Sequence, residues 1–378
     1  MIIVESKKVM EKLIDLITSQ MHMYDLLGDI EMNVEQGYGS YLSFEDELIE
    51  DCIREFKEVH TKKDAERLLV IMGLVQEILG EAKTNDDYIA QAHILMVLYL
   101  HSTRYNKADI FQDPFIRNIK IDKPSAVGKY IFDSLEVEKG ELFFCGEESV
   151  SGTNRVPHIG YCTSKFKYPC IRTEKEVYFH VNQQTINLFK PIVNEVSGNV
   201  VSLGLGLGYF AYMAALKEDV KKVTIVEKNT DFIEVFNKYV LPNIKNPEKI
   251  EIVKADPYSF LKKAQNGDYD YCVVDDNLNR DEQILAYVRG KHEEKRLTNT
   301  KFLYYDELRI LLDIQIFIMS EMLKDVGIDT DDEVAIIENP TTARKIVDIY
   351  DNTLILTDAD IENILDVNTI KETIENNA

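Results

Sequence analysis

The chain has few cysteines, and they form neither a pair nor a metal-binding pattern. Five are scattered over 378 residues without CxxC spacing, at Cys52, Cys145, Cys162, Cys170 and Cys272. The histidines of the first third of the chain also lack metal-ligand spacing; they are His22, His60, His93 and His101. An odd number of separated thiols is typical of a reducing compartment. The sequence therefore predicts no metal site and a cytoplasmic protein.

The sequence also lacks a long apolar segment. Its first 16 residues, MIIVESKKVMEKLIDL, interleave charged and apolar side chains and so lack the continuous core of a signal peptide. The most apolar helical stretch, residues 88–100, is shorter than the roughly 20 residues that a bilayer requires. With a hydrophobic fraction of 45%, the chain is expected to be a globular, soluble, intracellular protein without a membrane partner.

Basic residues are scarce relative to acidic ones. Lys and Arg number 43 against 66 Asp and Glu, which gives a net charge of −23. Such a surface repels phosphate backbones and argues against a long nucleic acid as partner. One stretch is locally basic, through Arg155, Lys165, Lys167, Arg172 and Lys175. It is either a solvated strand face or a surface for an anionic substrate.

The segment 199–276 carries the clearest pattern in the sequence. Apolar runs rich in β-branched residues occupy residues 200–203, 223–226 and 250–253, each followed by a helical pattern, and a fourth run occupies 271–274. Runs of this kind are typical of parallel strands that are buried on both faces. The segment is therefore predicted to form a Rossmann-like α/β sheet.

Glycines and acids follow these strands at the points where each strand ends. Gly204, Gly206 and Gly208 follow the first strand, and a helix begins at once after them. Such glycines allow a sharp turn and a close approach of the backbone to a ligand at a helix N-terminus. Glu227 ends the second strand, 23 positions after Gly204, where a carboxylate accepts ribose hydroxyls in nucleotide-binding βαβ units.

The third and fourth strands are also followed by acids. Asp256 comes just after the third strand, and Asp275 and Asp276 follow the fourth. In open α/β sheets, ligands bind at the carboxyl edge, where these strands end. The sequence therefore predicts an acidic ligand site at that edge.

In this segment the chain resembles class I S-adenosylmethionine-dependent methyltransferases, including the spermidine-synthase-like group. The resemblance implies S-adenosylmethionine as cofactor, with the three glycines beside its methionine part, Glu227 on the ribose and Asp256 on the adenine amino group. The neighbours Leu205, Lys228 and Pro257 are then cofactor-binding residues as well, together with Asp275. Ser202 stands where many members have an acid near the cofactor's amino group.

Asp275 and Asp276 stand where a catalytic base would take a proton from an amine or hydroxyl acceptor. Asp275 is the candidate of the two, and either is alternatively a cap of the following turn. Aminopropyltransferases of the group continue after the fourth strand with Asp-x-x-Asp-Pro or similar, whereas this chain reads DDNLNRD from Asp275. This departure argues against aminopropyl transfer.

A dinucleotide fingerprint would require a glycine at position 209, where this chain has Tyr209. This departure argues against a nicotinamide or flavin cofactor.

These patterns leave three hypotheses about function. The first is a methyltransferase whose small-molecule or protein acceptor is unidentified. The second is a spermidine-synthase-like aminopropyltransferase, whose polycationic acceptor would suit the acidic edge of the sheet. The third is a non-catalytic regulatory protein that binds S-adenosylmethionine and works through its N-terminal helices.

The remainder of the chain suggests three domains. Residues 1–122 show amphipathic periodicity within 7–20, 48–56, 68–79 and 88–100, which predicts a helical domain that covers the site, forms a homodimer or binds a partner. Residues 123–181 are predicted to form a small antiparallel β element with a turn at Lys139-Gly140. Residues 182–378 are predicted to form the Rossmann-like domain with an acidic C-terminal portion.

Elements on either side of the glycine and acid pattern complete the prediction. His180, Asn182 and Gln183 are candidate substrate-binding residues before a helix or pair of turns bent at Pro191, although Asn182 is alternatively a helix N-cap. After the fourth strand come a helix at 281–296, a fifth strand at 301–305 and a helix at 307–323. The apolar runs 334–337 and 354–356 are predicted strands that would supply the antiparallel pair ending a class I sheet.

Overall fold

The fold was analysed in a computed structural model. It describes residues 3–4, 7–15, 29–30, 32, 44–147, 149–151, 154–275, 280–325, 327, 341–350 and 353–377. The chain divides into two compact units, one of residues 22–187 and one that joins residues 1–21 to residues 188–378. The first elements, β1 (Ile3–Val4) and the helix α1 described over residues 7–15, belong to the second unit.

The unit of residues 22–187 begins with three described helices, α2 (Asp46–Glu55), α3 (Lys62–Leu79) and α4 (Asn85–Leu100). Capping boxes start two of them: Thr61 exchanges hydrogen bonds with Asp64, and Thr84 does so with Asp87. Apolar side chains of all three helices meet in one buried cluster. The helices predicted at 48–56, 68–79 and 88–100 are confirmed, whereas residues 16–20 of the first predicted helix lie outside the described residues.

Short elements follow in the same unit. They are β2 (Ser102–Tyr105), α5 (Lys107–Ile110), α6 (Pro114–Asn118), β3 (Ser125–Val127), β4 (Tyr130–Val137), β5 (Leu142–Phe144), β6 (Ser149–Ser151), β7 (Asn154–Val156), β8 (Ile159–Cys162), β9 (Phe166–Arg172) and β10 (Val177–His180). One antiparallel sheet has the order β10-β9-β4-β3, and a second has the order β2-β8-β5. The second sheet is mixed, because β2 and β8 run parallel.

The predicted turn at Lys139-Gly140 is present, with a φ of 83° at Gly140. The strands on its two sides do not pair with each other, however, since β4 pairs with β9 and β5 pairs with β8. The turn therefore passes the chain from one sheet to the other instead of closing a hairpin.

The locally basic stretch is largely neutralised within this unit. Lys165 forms ion pairs with Glu136 and Glu138, and Lys167 lies 3.2 Å from Glu136. Arg172 approaches Asp133 at 2.7 Å. Because these carboxylates belong to β4 and the segment just after it, the cations balance a neighbouring acidic strand. This pairing favours the interpretation of a solvated strand face.

The second unit contains the α/β region. Helix α7 (Gln183–Glu195) crosses the boundary at residue 188 and contains Pro191 without interruption. It is followed by β11 (Gly198–Leu203), α8 (Tyr209–Leu216), β12 (Val220–Glu227), α9 (Thr230–Val235), a π-helix (Phe236–Val240), 3-10 turns at Leu241–Asn243 and Pro247–Lys249, β13 (Ile250–Lys254), α10 (Pro257–Leu261), β14 (Tyr271–Val274), α11 (Arg280–Arg296), β15 (Lys301–Tyr304), α12 (Glu307–Asp325), α13 (Thr341–Asp348), β16 (Leu354–Ile355), α14 (Asp358–Leu365) and α15 (Val367–Asn377).

Five of these strands form a parallel Rossmann-like sheet of order β13-β12-β11-β14-β15. The central strands are buried on both faces, as residues such as Val200, Val201 and Ile225 have no exposed surface. The chain adds strands on one side of β11 and then returns to add two on the other. This reversal opens a crevice at the carboxyl end of β11. The predicted fold class and its fifth strand are confirmed.

The prediction for the end of the sheet is wrong where the structure tests it. Leu354 and Ile355 form β16, which pairs in parallel with Ile3 and Val4 of β1 as a separate two-stranded sheet. Ile355 is fully buried there. The short strand β16 therefore forms its backbone pairing with β1 at the start of the chain. The predicted strand at 334–337 lies outside the described residues.

Candidate ligand site at the carboxyl edge of the parallel sheet

The strand register brings the sequence-predicted acids to one edge of the sheet. Leu203 lies opposite Val226 on one side and Val274 on the other. Val226 in turn lies opposite Val253. The strands therefore end at the same level, and the residues at or just after these ends, Gly204, Glu227, Asp256 and Asp275, share the carboxyl edge.

The glycine loop is shaped by close packing below it and open space above it. Gly208 has a φ of 83° and begins α8, and a Cβ there would overlap the ring of Phe236. Gly206 has a φ of 51°, and the nearest atom to a Cβ there would be Oδ2 of Asp275 at 3.9 Å. Only glycine satisfies both the backbone and the packing at position 208. Position 206 instead presents bare backbone to the crevice.

Glu227 connects the second strand to this loop. Its Oε2 accepts a hydrogen bond from the N–H of Leu205 at 3.2 Å, and its Oε1 accepts one from the N–H of Asn229 at 2.6 Å. The side chain is only 8% exposed, and burial raises the pKa of its carboxyl group despite the opposing backbone N–H bonds. Each oxygen retains acceptor capacity for a hydroxyl group of a ligand.

Ser202 lies beneath the loop. It is 2% exposed, and its hydroxyl donates to the carbonyl of Gly204 at 3.1 Å. In this arrangement the predicted cofactor-binding serine supports the first glycine from the core. Its side chain therefore does not replace the acid that the resemblance would place near a cofactor's amino group.

Asp256 and Pro257 begin α10 at the end of the third strand. Oδ1 of Asp256 accepts the N–H of Ser259 at 2.8 Å, which makes Asp256 the N-cap, and Pro257 takes the first helical position. The hydrogen bonds from Ser259 lower the pKa of Asp256, and the charges of Lys228 and Arg289 lower it further. Asp256 is thus an ionised, exposed acceptor beside the predicted Lys228.

Asp275 lies next to the glycine loop. Its N–H donates to the carbonyl of Leu203 at 3.0 Å, which extends the ladder between β11 and β14 by one residue. Its half-buried side chain approaches Gly206, as described above. Asp276 lies outside the described residues. The carboxylate of Asp275 is therefore at the centre of the edge, between the loop and the end of β15.

The candidate substrate residues His180, Asn182 and Gln183 belong to the other unit. Oδ1 of Asn182 accepts the N–H of Thr185 at 3.0 Å, so this side chain caps the first turn of α7. Gln183 donates to Asn187 at 3.0 Å. The carbonyl of His180 accepts the Thr185 hydroxyl at 3.1 Å, and burial lowers the pKa of its imidazole. The alternative interpretation of Asn182, as an N-cap, matches these contacts.

Sequence reasoning missed an aromatic group at the edge. The ring of Tyr305 lies 4.5 Å from that of Phe189, which also contacts Tyr209 at 5.8 Å and Phe210 at 5.9 Å between ring centroids. Tyr305 continues the ladder through an N–H bond to the carbonyl of Val274 at 3.0 Å. The sequence signal that could have identified Tyr305 was its position as the last residue of the predicted fifth strand. Phe189, Tyr209 and Phe210 are buried and Tyr305 is partly exposed, so these rings form an apolar core beside the end of β15.

Asp306 was also missed. Among the residues that the structure describes, it is the one non-glycine residue with positive φ, 52°. Its carbonyl accepts the N–H of Ile310 at 3.4 Å at the start of α12. Aspartate tolerates this left-handed conformation better than most residues. The position adds a further carboxylate just beyond the fifth strand.

In the part of the chain that the structure describes, no group of three or more His, Cys, Asp or Glu side chains is arranged to hold a metal ion. No described helix is both long and apolar enough to cross a membrane.

Comparisons with known proteins add a likeness of fold. No family model and no curated protein matches the sequence. A solved spermidine synthase in complex with the transition-state analogue AdoDATO is 14% identical, with coverage of 62% of this chain and 93% of that one and a TM-score of 0.27. The spermidine synthase from Thermotoga maritima is 13% identical, with coverage of 62% and 94% and a TM-score of 0.27. At these values the likeness transfers neither an activity nor a ligand.

Proposed function

We propose that the carboxyl edge of the sheet binds S-adenosylmethionine or a closely related sulfonium nucleoside, and that the protein transfers an alkyl group from it to an acceptor. The observation that carries the proposal is the buried carboxylate of Glu227, held by backbone N–H groups of Leu205 and Asn229. A fixed, desolvated carboxylate beside a glycine loop is suited to the two hydroxyls of a ribose. Asp256, exposed and ionised, is assigned to the adenine amino group.

The residues of the edge fit such a ligand. Gly206 presents open backbone beside Asp275, since a Cβ there would meet no protein atom closer than 3.9 Å. Tyr305 presents a partly exposed ring at this edge and packs on the buried Phe189. The sulfonium supplies the activated alkyl carbon when the nucleoside is bound. The protein's part is then to align the acceptor, an effect worth up to roughly 7–11 kcal/mol.

We assign Asp275 as the group that removes the proton from an amine or hydroxyl acceptor. It lies between the loop and the end of β15, next to Gly206. Attack by the acceptor's lone pair forms the new bond to carbon, and the electron pair of the broken carbon–sulfur bond stays on sulfur. The acceptor's proton passes to the carboxylate of Asp275 and from there to solvent.

Methyl transfer is the first candidate, and aminopropyl transfer is the second. The second is favoured by Ser202, whose buried hydroxyl is engaged by the Gly204 carbonyl. A decarboxylated nucleoside has no tail carboxylate to place, so it makes fewer demands on this position. The net charge of −23 also suits a polyamine acceptor.

Calorimetric titration with S-adenosylmethionine, its decarboxylated form and NAD tests the proposal. We expect micromolar binding, about −8 kcal/mol, by one of the two sulfonium nucleosides and none by NAD. Glu227→Gln should weaken that binding at least about tenfold, because glutamine offers one acceptor oxygen where two are used. Glu251→Gln, on the exposed part of β13 where Glu251 pairs with Lys222 at 2.8 Å, is the matched control.

The outcomes separate the candidates. Preference for S-adenosylmethionine supports methyl transfer, whereas preference for the decarboxylated form, with product from putrescine, supports aminopropyl transfer. Tight binding without turnover of any amine or hydroxyl acceptor would leave a regulatory protein that senses the nucleoside. Failure of both sulfonium nucleosides to bind would refute the proposal.

A further inference from the structure

A cavity of about 540 Å³ lies within the second unit, between α10, α11, α13 and α15. It touches the candidate ligand site only through Asp256. The glycine loop, Glu227 and Asp275 are described residues and do not contribute to its lining. Its volume is in the range typical of sites for small organic ligands. The cavity is therefore a separate feature that the nucleoside site does not explain.

Cationic side chains surround this cavity in a chain that is otherwise strongly acidic. Lys262, Arg289 and Lys345 line it, together with His292. Arg289 lies over the ring of Tyr258 at 5.5 Å from its centroid, and its charge acts on Asp256. Lys262 and Lys345 come from different helices, so the charge converges from two sides.

The acidic residues of the lining are already engaged. Glu293 lies 2.6 Å from Arg296, and Asp256 caps the first turn of α10. Lys262 and Lys345, in contrast, form no ion pair with any residue that the structure describes. Two ammonium groups of the lining are thus not paired with a carboxylate of any described residue.

Part of the lining is apolar. Ile346 and Ile374 are almost fully buried in its wall, whereas Ile349 is 40% exposed. The hydroxyls of Ser259 and Thr342 add hydrogen-bonding groups near the lysines. The combination of two cations without an ion-pair partner among the described residues, hydroxyl groups and an apolar wall matches a doubly charged anion attached to an apolar body.

We propose that this cavity binds a small organic phosphate monoester. Lys262 and Lys345 would hold the phosphate oxygens through charge-assisted hydrogen bonds, with Arg289 next to them, and the apolar body would pack on Ile346 and Ile349. A monoester carries close to two negative charges near neutral pH, which two lysines balance. The site requires neither the glycine loop nor Glu227, so it stands independently of the proposed function.

Calorimetry with phenyl phosphate tests this site, with phenol as the neutral analogue and inorganic phosphate as the anion without an apolar body. We expect saturable binding of phenyl phosphate to the wild type and at least about tenfold weaker binding of both analogues. The double variant Lys262→Gln/Lys345→Gln should also lose at least about tenfold in affinity. Lys263→Gln, exposed and adjacent in sequence but outside the lining, should retain wild-type affinity.

Three results with the wild type and the lysine variants would overturn the proposal. They are absence of saturable binding by the wild type, equal affinity of the double variant and the wild type, and equal loss in Lys263→Gln. Glu227→Gln serves as a further control. If it abolished phenyl phosphate binding, the phosphate would have to bind at the glycine loop instead, which also overturns the assignment. Urea unfolding of each variant verifies that the fold is intact.

Discussion

The carboxylate of Glu227 accepts a hydrogen bond from the backbone N–H of Leu205 at 3.2 Å, across 22 positions of sequence. This bond joins the end of the second strand to the middle of the glycine loop. It fixes the acid and the loop relative to each other before any ligand binds. Because Glu227 is also held by Asn229, its position depends on two backbone segments and not on its own rotamer.

This relationship predicts an unusual pH dependence of ligand binding. Burial raises the pKa of Glu227, and only its ionised form accepts two ribose hydroxyls. Nucleoside affinity should therefore fall on acidification at a higher pH than an exposed glutamate, with a pKa of about 4.3, would give. Titrations across the acidic interval below neutral pH locate this fall, with Glu251→Gln expected to follow the wild type. A fall at no higher pH than an exposed glutamate gives would contradict the prediction.

The same shift affects stability with the opposite sign. Since the folded protein binds the proton on Glu227 more tightly than the unfolded chain, protonation stabilises the fold. The contribution of Glu227 is complete below its unfolded pKa and is lost as pH rises through its folded pKa. The unfolding free energy of the wild type, relative to that of Glu227→Gln, should therefore decrease as the pH rises through this interval.

Replacing Gly208 by alanine is expected to destabilise the protein more than replacing Gly267. Both have positive φ, 83° and 94°, so both substitutions cost about 1–2 kcal/mol in backbone conformation. A Cβ at position 208 would also overlap the Phe236 ring, whereas one at position 267 would meet no atom within 4 Å. Urea unfolding should show an additional loss of at least about 1 kcal/mol for Gly208→Ala. Equal losses would mean that the ring moves aside freely.

Lys291→Met should strongly destabilise the second unit. The ammonium group of Lys291 is 4% exposed and lies 2.8 Å from Glu375, 3.3 Å from Glu294 and 3.5 Å from Glu307. Burial alone would lower the pKa of Lys291, but the hydrogen bond that Lys291 donates to Glu375 and the charges of the surrounding carboxylates raise it above its usual value. Removal leaves these carboxylates without their cation, at a cost of about 3 kcal/mol.

Urea unfolding near neutral pH measures this loss. Lys301→Met provides the control, because Lys301 forms an exposed ion pair with Glu195 in the same unit and exposed pairs contribute little. A loss for Lys291→Met no larger than that for Lys301→Met would show that the buried network is not required.

The pKa of Glu307 is lowered by its hydrogen bond and charge interaction with Lys371, against the effect of burial. Its contribution to stability is therefore present near neutral pH and is lost as pH falls through the folded pKa.

The cysteines should react slowly in the native protein. All five are free and buried, and burial raises the pKa of the thiols of Cys145, Cys162 and Cys170 to about 12. Only the thiolate reacts rapidly with a disulfide reagent. We therefore expect almost no fast-reacting thiol without urea and five after unfolding. A fast-reacting thiol in the native protein would reveal an opening of one of these buried sites.

The parallel sheet and its edge could be predicted because their signals are local. A run such as residues 200–203 is apolar at every position, and only burial on both faces satisfies such a run. Gly206 and Gly208 mark a turn that other residues resist, and Glu227 follows its strand directly. These features depend on side-chain type and on spacing within one βαβ unit, which the sequence displays.

Other features depended on long-range pairing, which no local pattern encodes. The run at 354–356 looks like a sheet-ending strand, but β16 pairs with Ile3 and Val4, more than three hundred positions away in sequence. Asn182 fits a pocket residue or a cap equally well in sequence, and its bond to Thr185 favours the cap. Tyr305 gained its significance only from its contact with Phe189.

The sequence by itself determined the order of the central strands along the chain, the glycine turn after the first of them and the acids at the strand ends. These features are visible in the sequence because backbone sterics and two-sided burial act within a few residues. The tertiary structure alone decided how Ser202 is used, where the C-terminal helices lie, and that Lys262 and Lys345 face one cavity. Those outcomes follow from which distant surfaces bury each other, a property of the whole fold and not of any single segment.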